Sequence, residues 1–436
     1  MVRRNPKMNS EDDSLANLDC NLIPEEEEDD SLATLYCNLI PVMLCVWNSL
    51  ISIHKFARKH LKLSTTNPNP NNMIIMDSLP TLPFDLITEI LSRLPVKMLV
   101  RFRCVCKSWN SLISDHKFST NHFKLSTKQN LHFISYHKPS QRHVLKSYPL
   151  QSVFTDLTSN FTQLAFPFNS PSDKTLHYIV GSCHGILCLA HTSNSSVVLW
   201  NPSIRKFKEL PSFENPQVMA QNVTRAIKYG FGYDHVSHNY KVVVLYNSRT
   251  HLRTTKINVY TLSTNSWRNV RIFPFSSDFS DDQHGIYLSG TINWLAYPNC
   301  CCSYFIVSFD LGEESYEKIS PPPPDHGMKA VWGAKLCVLK DCLCIVSYYD
   351  VWVMKEYGVK ESWTRLVKVP NLLDQCVSSC FLTYALYVFE DDQVLLEEGL
   401  EKKLIIYNFK NDTFMVTAMF ETRPEICTES LISPCS

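Results

Sequence analysis

Three helical apolar patterns fill residues 82–113, and they are separated by a proline and by a short cysteine-containing stretch. Ile87, Leu91 and Leu94 recur at steps of three or four residues, which places them on one stripe of a helix. Pro95 ends that helix because it has no amide hydrogen, and it suits the first turn of the next one. Helices this short bury too little surface to fold alone, since domains below about 40 residues usually need a metal, a disulfide or a second chain. The pattern therefore predicts a small helical module with an apolar docking face.

The order of fixed positions over residues 79–122 resembles the F-box, the helical module that attaches substrate receptors to the Skp-type adaptor of SCF (Skp, cullin, F-box) ubiquitin ligases. The resemblance implies that Arg101 and Lys107 supply polar contacts at the rim of an apolar interface. An alternative is that these residues form the core of a helical cap packed on the rest of the chain. The residues that the resemblance assigns to adaptor binding are Leu82, Pro83, Ile87, Ile90, Leu91, Leu94, Pro95, Val96, Leu99, Arg101, Cys104, Val105, Lys107, Trp109 and Leu112.

The charge balance and the cysteine pattern restrict the classes of partner. Lys plus Arg equals Asp plus Glu at 42 each, so no overall field attracts nucleic acid or anionic lipid. The 17 cysteines include no CxxC pair, which fits reduced thiols in the cytoplasm or the nucleus. Residues 39–53 are mostly apolar but fall short of the roughly 20 residues that span a bilayer. We therefore expect no nucleic-acid partner and no membrane anchor.

Two internal repeats lie in the N-terminal part of the chain. Residues 47–65 match residues 109–127 at 14 of 19 positions, but the helices that would precede them are largely deleted. We therefore expect a degenerate, non-functional copy of the helical module over residues 41–65. Residues 12–24 also recur as residues 29–41 around an acidic run, and residues 1–76 are predicted to be a disordered extension. The acidic run is either a binding tail or a solvated remnant.

After residue 130 short β-branched and aromatic runs alternate with turns, which predicts an all-β domain over residues 130–436. Within it, a strand ending in an aromatic residue is followed seven residues later by a second aromatic. Six such units at a mean spacing of about 50 residues indicate the four-stranded blades of a propeller. The predicted fold is thus α+β and multidomain, with three short helices followed by a propeller-like domain of about six blades. The paired positions are Trp200/Phe207, Tyr260/Trp267, Phe309/Tyr316 and Tyr407/Phe414, with Met354/Trp363 two residues longer and Tyr136/His143 a weaker match.

Two motifs in this half resemble the F-box-associated domain of a large plant receptor family. The first comprises GSCHGILCL at residues 181–189 with LWNPS at residues 199–203, and the second comprises YGFGYD at residues 229–234 with NYKVV at residues 239–243. With 11 glycines and no Gly-Gly pair, the chain departs from regular kelch repeats. The resemblance implies a kelch-like propeller that binds a target protein, through residues that the sequence does not identify.

Catalytic and cofactor chemistry has little support in the sequence. Cys183 lies in a segment like a nucleophile elbow, but a strand-like run follows it where an elbow needs a helix. Residues 300–302, all cysteines, and the pair Cys342/Cys344 lack zinc-ligand spacing, and no phosphate-binding glycine loop is present. Residues 321–324, all prolines, are read as a connector between blades, with a polyproline ligand as the alternative. We predict no catalytic residue, metal or cofactor.

Together these features predict a non-catalytic substrate receptor. Its helices would bind the Skp-type adaptor and, through it, a cullin–RING ligase, while the β domain would hold an unidentified target protein for ubiquitination. Two alternatives stay open at this point. One is a scaffold that binds adaptor and partner without degradation, and the other is a propeller enzyme.

Overall fold

The computed structural model describes residues 83–137, 142–154, 161–166, 177–191, 196–212, 227–247, 255–270, 277–279, 283–298, 303–323, 333–347, 350–369, 382–399, 402–420 and 422–435. The predicted N-terminal extension, its degenerate copy at 41–65, Leu82 and Cys300–Cys302 lie outside these residues. The helices of the described chain are α1 (Phe84–Ser92), α2 (Val96–Phe102), α3 (Lys107–Ser114) and α4 (His116–Leu125).

The fourth helix corrects the prediction of three. The predicted patterns stop at Ile113, before α4, which begins after Asp115 takes an extended conformation and ends α3. The Asp115 carboxylate then accepts a hydrogen bond from the amide of Phe118 at 3.0 Å, which caps the N-terminus of α4. A single acidic residue thus separates α3 from a fourth helix that the sequence analysis does not predict.

The helices share a compact core. Trp109 of α3 packs edge-on against Phe102 of α2, with ring centroids 5.5 Å apart. The imidazole of His122, on α4, lies 2.7 Å from the carbonyl oxygen of Leu94 and ties α4 to the junction between α1 and α2. The buried apolar side chains of the module are Leu91, Leu94, Val96, Leu99, Phe102, Trp109, Ile113 and Phe118.

Short antiparallel strands make up the rest of the described chain. In chain order they are β1 (Gln129–His137), β2 (Arg142–Pro149), β3 (Thr162–Ala165), β4 (His177–Cys183), β5 (Ile186–His191), β6 (Val197–Asn201), β7 (Lys206–Glu209), β8 (Ile227–Asp234), β9 (Asn239–Asn247), β10 (Thr255–Thr261), β11 (Ser266–Val270), β12 (Ser277–Phe279), β13 (Ile286–Leu288), β14 (Thr291–Pro298), β15 (Phe305–Asp310), β16 (Tyr316–Ile319), β17 (Lys335–Leu339), β18 (Cys342–Ser347), β19 (Asp350–Met354), β20 (Trp363–Lys368), β21 (Leu382–Val388), β22 (Gln393–Glu398), β23 (Lys403–Asn408), β24 (Thr413–Met419) and β25 (Glu425–Thr428).

These strands form a six-bladed β-propeller within the described residues, as the sequence predicts. Blade 1 has the strand order β25-β1-β2-β3, blade 2 is β4 to β7, and blade 3 is β8 to β11. Blade 4 is β12 to β16, blade 5 is β17 to β20, and blade 6 is β21 to β24. In blade 4 both β12 and β13 pair with β14, so its inner strand is interrupted between Phe279 and Ile286. Blade 1 closes the ring because its innermost strand, β25, comes from the far end of the chain.

The seven-residue aromatic spacing corresponds to a cross-strand pair. Trp200 faces Phe207, Tyr260 faces Trp267, and the remaining three strong units pair in the same way across the two outer strands of their blades. Tyr136 also faces His143, but these residues lie on the second and third strands of blade 1. The sixth unit is therefore not equivalent to the other five. Its blade differs because it takes its first strand from the C-terminal segment.

Tryptophans at the second position of two units bridge neighbouring blades. The indole nitrogen of Trp267 in blade 3 donates to the carbonyl oxygen of Pro211, which follows blade 2, at 2.6 Å. The indole nitrogen of Trp363 in blade 5 donates to the carbonyl oxygen of Ser320, which follows blade 4, at 3.0 Å. The polar group of each large ring is thus satisfied while its apolar body fills the gap between blades.

Candidate functional site

The structure divides the predicted adaptor-binding residues into an interior set and a surface set. Leu91, Leu94, Val96, Leu99 and Trp109 are buried in the core of the helical module. Their side chains hold the helices together. Adaptor binding stays a prediction for the whole set, whose accessible members are Pro83, Ile87, Ile90, Pro95, Arg101, Cys104, Val105, Lys107 and Leu112.

Two large apolar side chains on α1 belong to the accessible surface although the predicted set omits them. Phe84 is 53% exposed and Leu86 is 51% exposed. The sequence places Phe84 on the apolar stripe of α1 and Leu86 beside it, but periodicity alone does not show which apolar residues the core leaves exposed. Exposed apolar residues this close together are typical of an interaction surface.

Helix α4 connects the module to the propeller. The ring of Phe123 packs edge-on against the imidazole of His184, with centroids 5.1 Å apart. His184 occupies the turn between β4 and β5, at the C-terminal end of an inner strand. After α4, the Ser126 hydroxyl donates to the carbonyl oxygen of Glu429 at 3.2 Å, and the Glu429 amide donates to the carbonyl oxygen of Lys128 at 3.0 Å. Helix α4 and the segment after it thus contact one face of the ring, beside its closing strand.

The WNP motif secures this closing strand. The Asn201 side chain is fully buried, and its amide nitrogen donates to the carbonyl oxygens of Ser430 and Ile432 at 3.0 and 2.8 Å. Its oxygen accepts from the backbone amide of Ser203 at 2.9 Å. One asparagine of blade 2 therefore satisfies the backbone that follows β25, where no strand partner is available.

The GSCHG motif forms the turn against which the same segment packs. Gly185 has φ +81°, and a Cβ atom there would lie 2.3 Å from the Ser430 hydroxyl oxygen and 2.8 Å from the carbonyl oxygen of Thr428. The Ser430 hydroxyl donates to the carbonyl oxygen of His184 at 2.8 Å. Only glycine combines this backbone conformation with so close an approach.

The GFGYD and NYKVV motifs supply a buried ion pair. The ammonium of Lys241 lies 2.8 Å from the carboxylate of Asp234, and both side chains are buried. Burial acts to raise the pKa of Asp234, but the hydrogen bonds from Lys241, Ser237 and Val236 hold it at about 2. The same ammonium donates to the carbonyl oxygen of Leu311 at 2.6 Å, so this pair of blade 3 also binds blade 4.

The motif cysteine has no nucleophilic environment. β4 ends at Cys183 and β5 begins at Ile186, so the segment is a hairpin rather than an elbow followed by a helix. Burial raises the pKa of the Cys183 thiol far above its usual range, which keeps the thiol protonated. Among the described residues no His, Cys, Asp and Glu side chains group as metal ligands, and no helix has the length and apolarity needed to cross a membrane.

Comparisons with known proteins agree with this architecture. The model of the F-box domain matches residues 79–121, and the model of the F-box associated beta propeller domain matches residues 141–433. The Arabidopsis thaliana F-box/kelch-repeat protein At3g23880 is 32% identical over 76% of this chain and 89% of its own length. F-box protein CPR1 from the same plant is 27% identical over 81% of this chain and 89% of its own length. F-box protein At3g07870, also from this plant, is 29% identical over 68% of this chain and 74% of its own length.

Proposed function

This chain belongs to the F-box proteins that carry an F-box associated β-propeller domain, and from that membership we propose that it is the substrate-recognition subunit of an SCF ubiquitin ligase. The helical module binds a Skp-type adaptor, which joins it to a cullin and its RING subunit. The propeller binds a target protein. The chain itself forms no bond and brings the target close to the ubiquitin-conjugating enzyme, so its contribution is proximity.

The accessible apolar surface of the helices carries this proposal. The core of the module is complete without the half-exposed Ile87 and Ile90 and the exposed Phe84 and Leu86. Arg101 and Lys107 are also exposed, and we propose that they add charge at the rim of the interface. An apolar centre with a polar rim is the composition expected of a protein interface.

Anchoring of the helices gives the receptor a fixed geometry. Because Phe123 packs on His184 and Lys128 pairs with the backbone of Glu429, the module has ordered contacts to the ring instead of a free linker. A target on the propeller would then be held in one orientation relative to the adaptor. We propose that this assembly acts in the cytoplasm or the nucleus, where thiols stay reduced.

Adaptor capture tests the first half of the proposal. Ile87→Asp combined with Ile90→Asp should abolish capture of a purified Skp-type adaptor, because it places two charges in an apolar interface while leaving the buried core intact. Leu125→Asp is the matched control, since Leu125 is 60% exposed on α4 and lies outside the predicted set. Equal capture by wild type and the double variant, with both folded by circular dichroism, would refute adaptor binding through this surface.

Target turnover tests the second half. Partners captured by the full chain should have longer half-lives when the proteasome is inhibited or when the double variant replaces wild type. Stable partners whose half-lives change under neither condition would instead identify a scaffold.

A further inference from the structure

Polar side chains from several blades converge where the inner strands of the propeller begin. The guanidinium carbon of Arg423, just before β25 of blade 1, lies 3.8 Å from the ring centroid of Tyr384 in blade 6. Tyr178 of blade 2 stacks on His284 of blade 4, with centroids 4.6 Å apart and planes at 9°. Blades 2 and 4 are separated by blade 3, so their side chains meet only near the axis of the ring. These four residues, with Glu397, are called the channel cluster.

Arg423 lies on the side of the ring where blades 1 and 6 meet. Burial, the charge of Lys228 and the charge of Arg423 lower the pKa of His284 to about 3. His284 belongs to blade 4, which is opposite blade 1 in a ring of six. Solvent reaches Arg423, which is half-buried, and within the described part of the chain its Nε atom has no hydrogen-bond acceptor.

Glu425 and Glu397 are the carboxyl groups whose charges act on this guanidinium. The Glu425 carboxylate accepts a hydrogen bond from the Ser182 hydroxyl at 2.9 Å, and burial raises the pKa of Glu425. Burial also raises the pKa of Glu397 to about 7, against the opposing charges of Arg423, Lys402 and Lys335. Because the Nε atom of Arg423 meets no acceptor among the described residues, the guanidinium has donor capacity for an additional anion.

We propose that the channel cluster receives an anionic group of the target protein, with Arg423 as its bidentate donor and the ring of Tyr384 fixing the guanidinium plane. The ligand is a pair of oxygens on a peptide, carried by an acidic side chain, a C-terminal carboxylate or a phosphorylated residue. This inference rests on the proposed function, because it assigns part of the target-binding surface. It places that surface at the end of the channel opposite the helices, since α4 contacts the C-terminal end of β4.

Peptide selection by the purified full chain tests the assignment. Three pools of random 12-residue peptides carry, respectively, internal Asp and Glu with an amidated end, a free C-terminal carboxylate, or a phosphoserine, and a fourth pool is neutral. One acidic pool should be enriched over the neutral pool, and its best peptide should lose about 30-fold or more in affinity with Arg423→Met. The pool that is enriched identifies the source of the oxygens.

Two further variants make the result decisive. Arg423→Lys keeps the charge but removes the planar fork, and we expect it to recover only part of the affinity. Arg268→Met is the matched control, because Arg268 is exposed on outer strand β11. Equal enrichment of the neutral pool, or an affinity unchanged in a folded Arg423 variant, would overturn the inference. Capture of the adaptor by wild type is measured in parallel. If wild type captures no adaptor, that result counts against the proposed function, and the peptide result is judged separately.

Discussion

The buried ion pair of blade 3 makes a quantitative prediction about stability. Lys241→Met removes the ammonium that lies 2.8 Å from the Asp234 carboxylate and 2.6 Å from the carbonyl oxygen of Leu311. Methionine fills a similar volume, so the change tests charge rather than packing. It leaves Asp234 buried without its cation, although the hydrogen bonds from Ser237 and Val236 persist.

The magnitude follows from the burial of both partners. Breaking one partner of a buried pair costs roughly 3–5 kcal/mol of the free energy of unfolding at pH 7. The pKa of Asp234 reflects part of this stabilisation, because it is about 2 in the folded chain and 3.8 ordinarily. At pH values above the ordinary pKa, this lowered carboxyl pKa adds about 2 kcal/mol to the free energy of unfolding. The contribution is lost as the pH falls through about 2.

Urea unfolding followed by tryptophan fluorescence measures the effect. Lys241→Met should lower the transition midpoint strongly, whereas Lys206→Met, at an exposed position on β7, should leave it within experimental error. Adding Asp234→Asn to Lys241→Met should restore part of the loss, because it removes the uncompensated charge. A loss below about 1 kcal/mol for Lys241→Met, or no recovery in the double variant, would refute the interpretation of this motif as a buried ionic clamp.

Two other changes test the closing turn and the channel. Gly185→Ala places a Cβ on a left-handed backbone in close contact with Ser430, and it should cost about 2–4 kcal/mol of unfolding free energy. Gly181→Ala is the control, because a Cβ there meets nothing within 4 Å. Equal melting temperatures for the two variants would contradict the argument. Burial raises the pKa of Glu397 from 4.5 to about 7, so folding favours its protonated form. The free energy of unfolding of wild type should therefore fall by roughly 3 kcal/mol as the pH rises from about 4.5 to above 7. Glu397→Gln should remove that part of the pH dependence, and parallel stability curves for wild type and variant between pH 5 and pH 8 would exclude it.

The sequence predicts those parts of the fold that depend on local pattern. The seven-residue spacing identifies hairpins because residues that face each other across a tight turn are fixed by register, as in Trp200 with Phe207. The blade number follows from counting such hairpins. The exception is Tyr136 with His143, where the count of six is right although that hairpin is not equivalent to the others.

Features that depend on distant parts of the chain are not visible in the pattern. Nothing near β25 indicates that it joins blade 1, since its partner β1 lies some 300 residues earlier. For the same reason the motifs around Asn201 and Asp234 are recognisable as resemblances but not as contacts. In the helical module, periodicity finds the apolar residues but cannot separate Leu99, which is fully buried, from Leu86, which is exposed.

The position of β25 in blade 1 sets an order of events during synthesis. The helices are complete once the ribosome has passed Leu125, whereas the propeller cannot close until Glu425–Thr428 has left the exit tunnel. Until then, blade 1 has an open edge and Asn201 has no carbonyl oxygens to bind. A premature stop codon between Met419 and Glu425 would therefore release a chain that has every other strand of the ring but leaves β1 without its inner partner, the kind of product that chaperones and proteases remove.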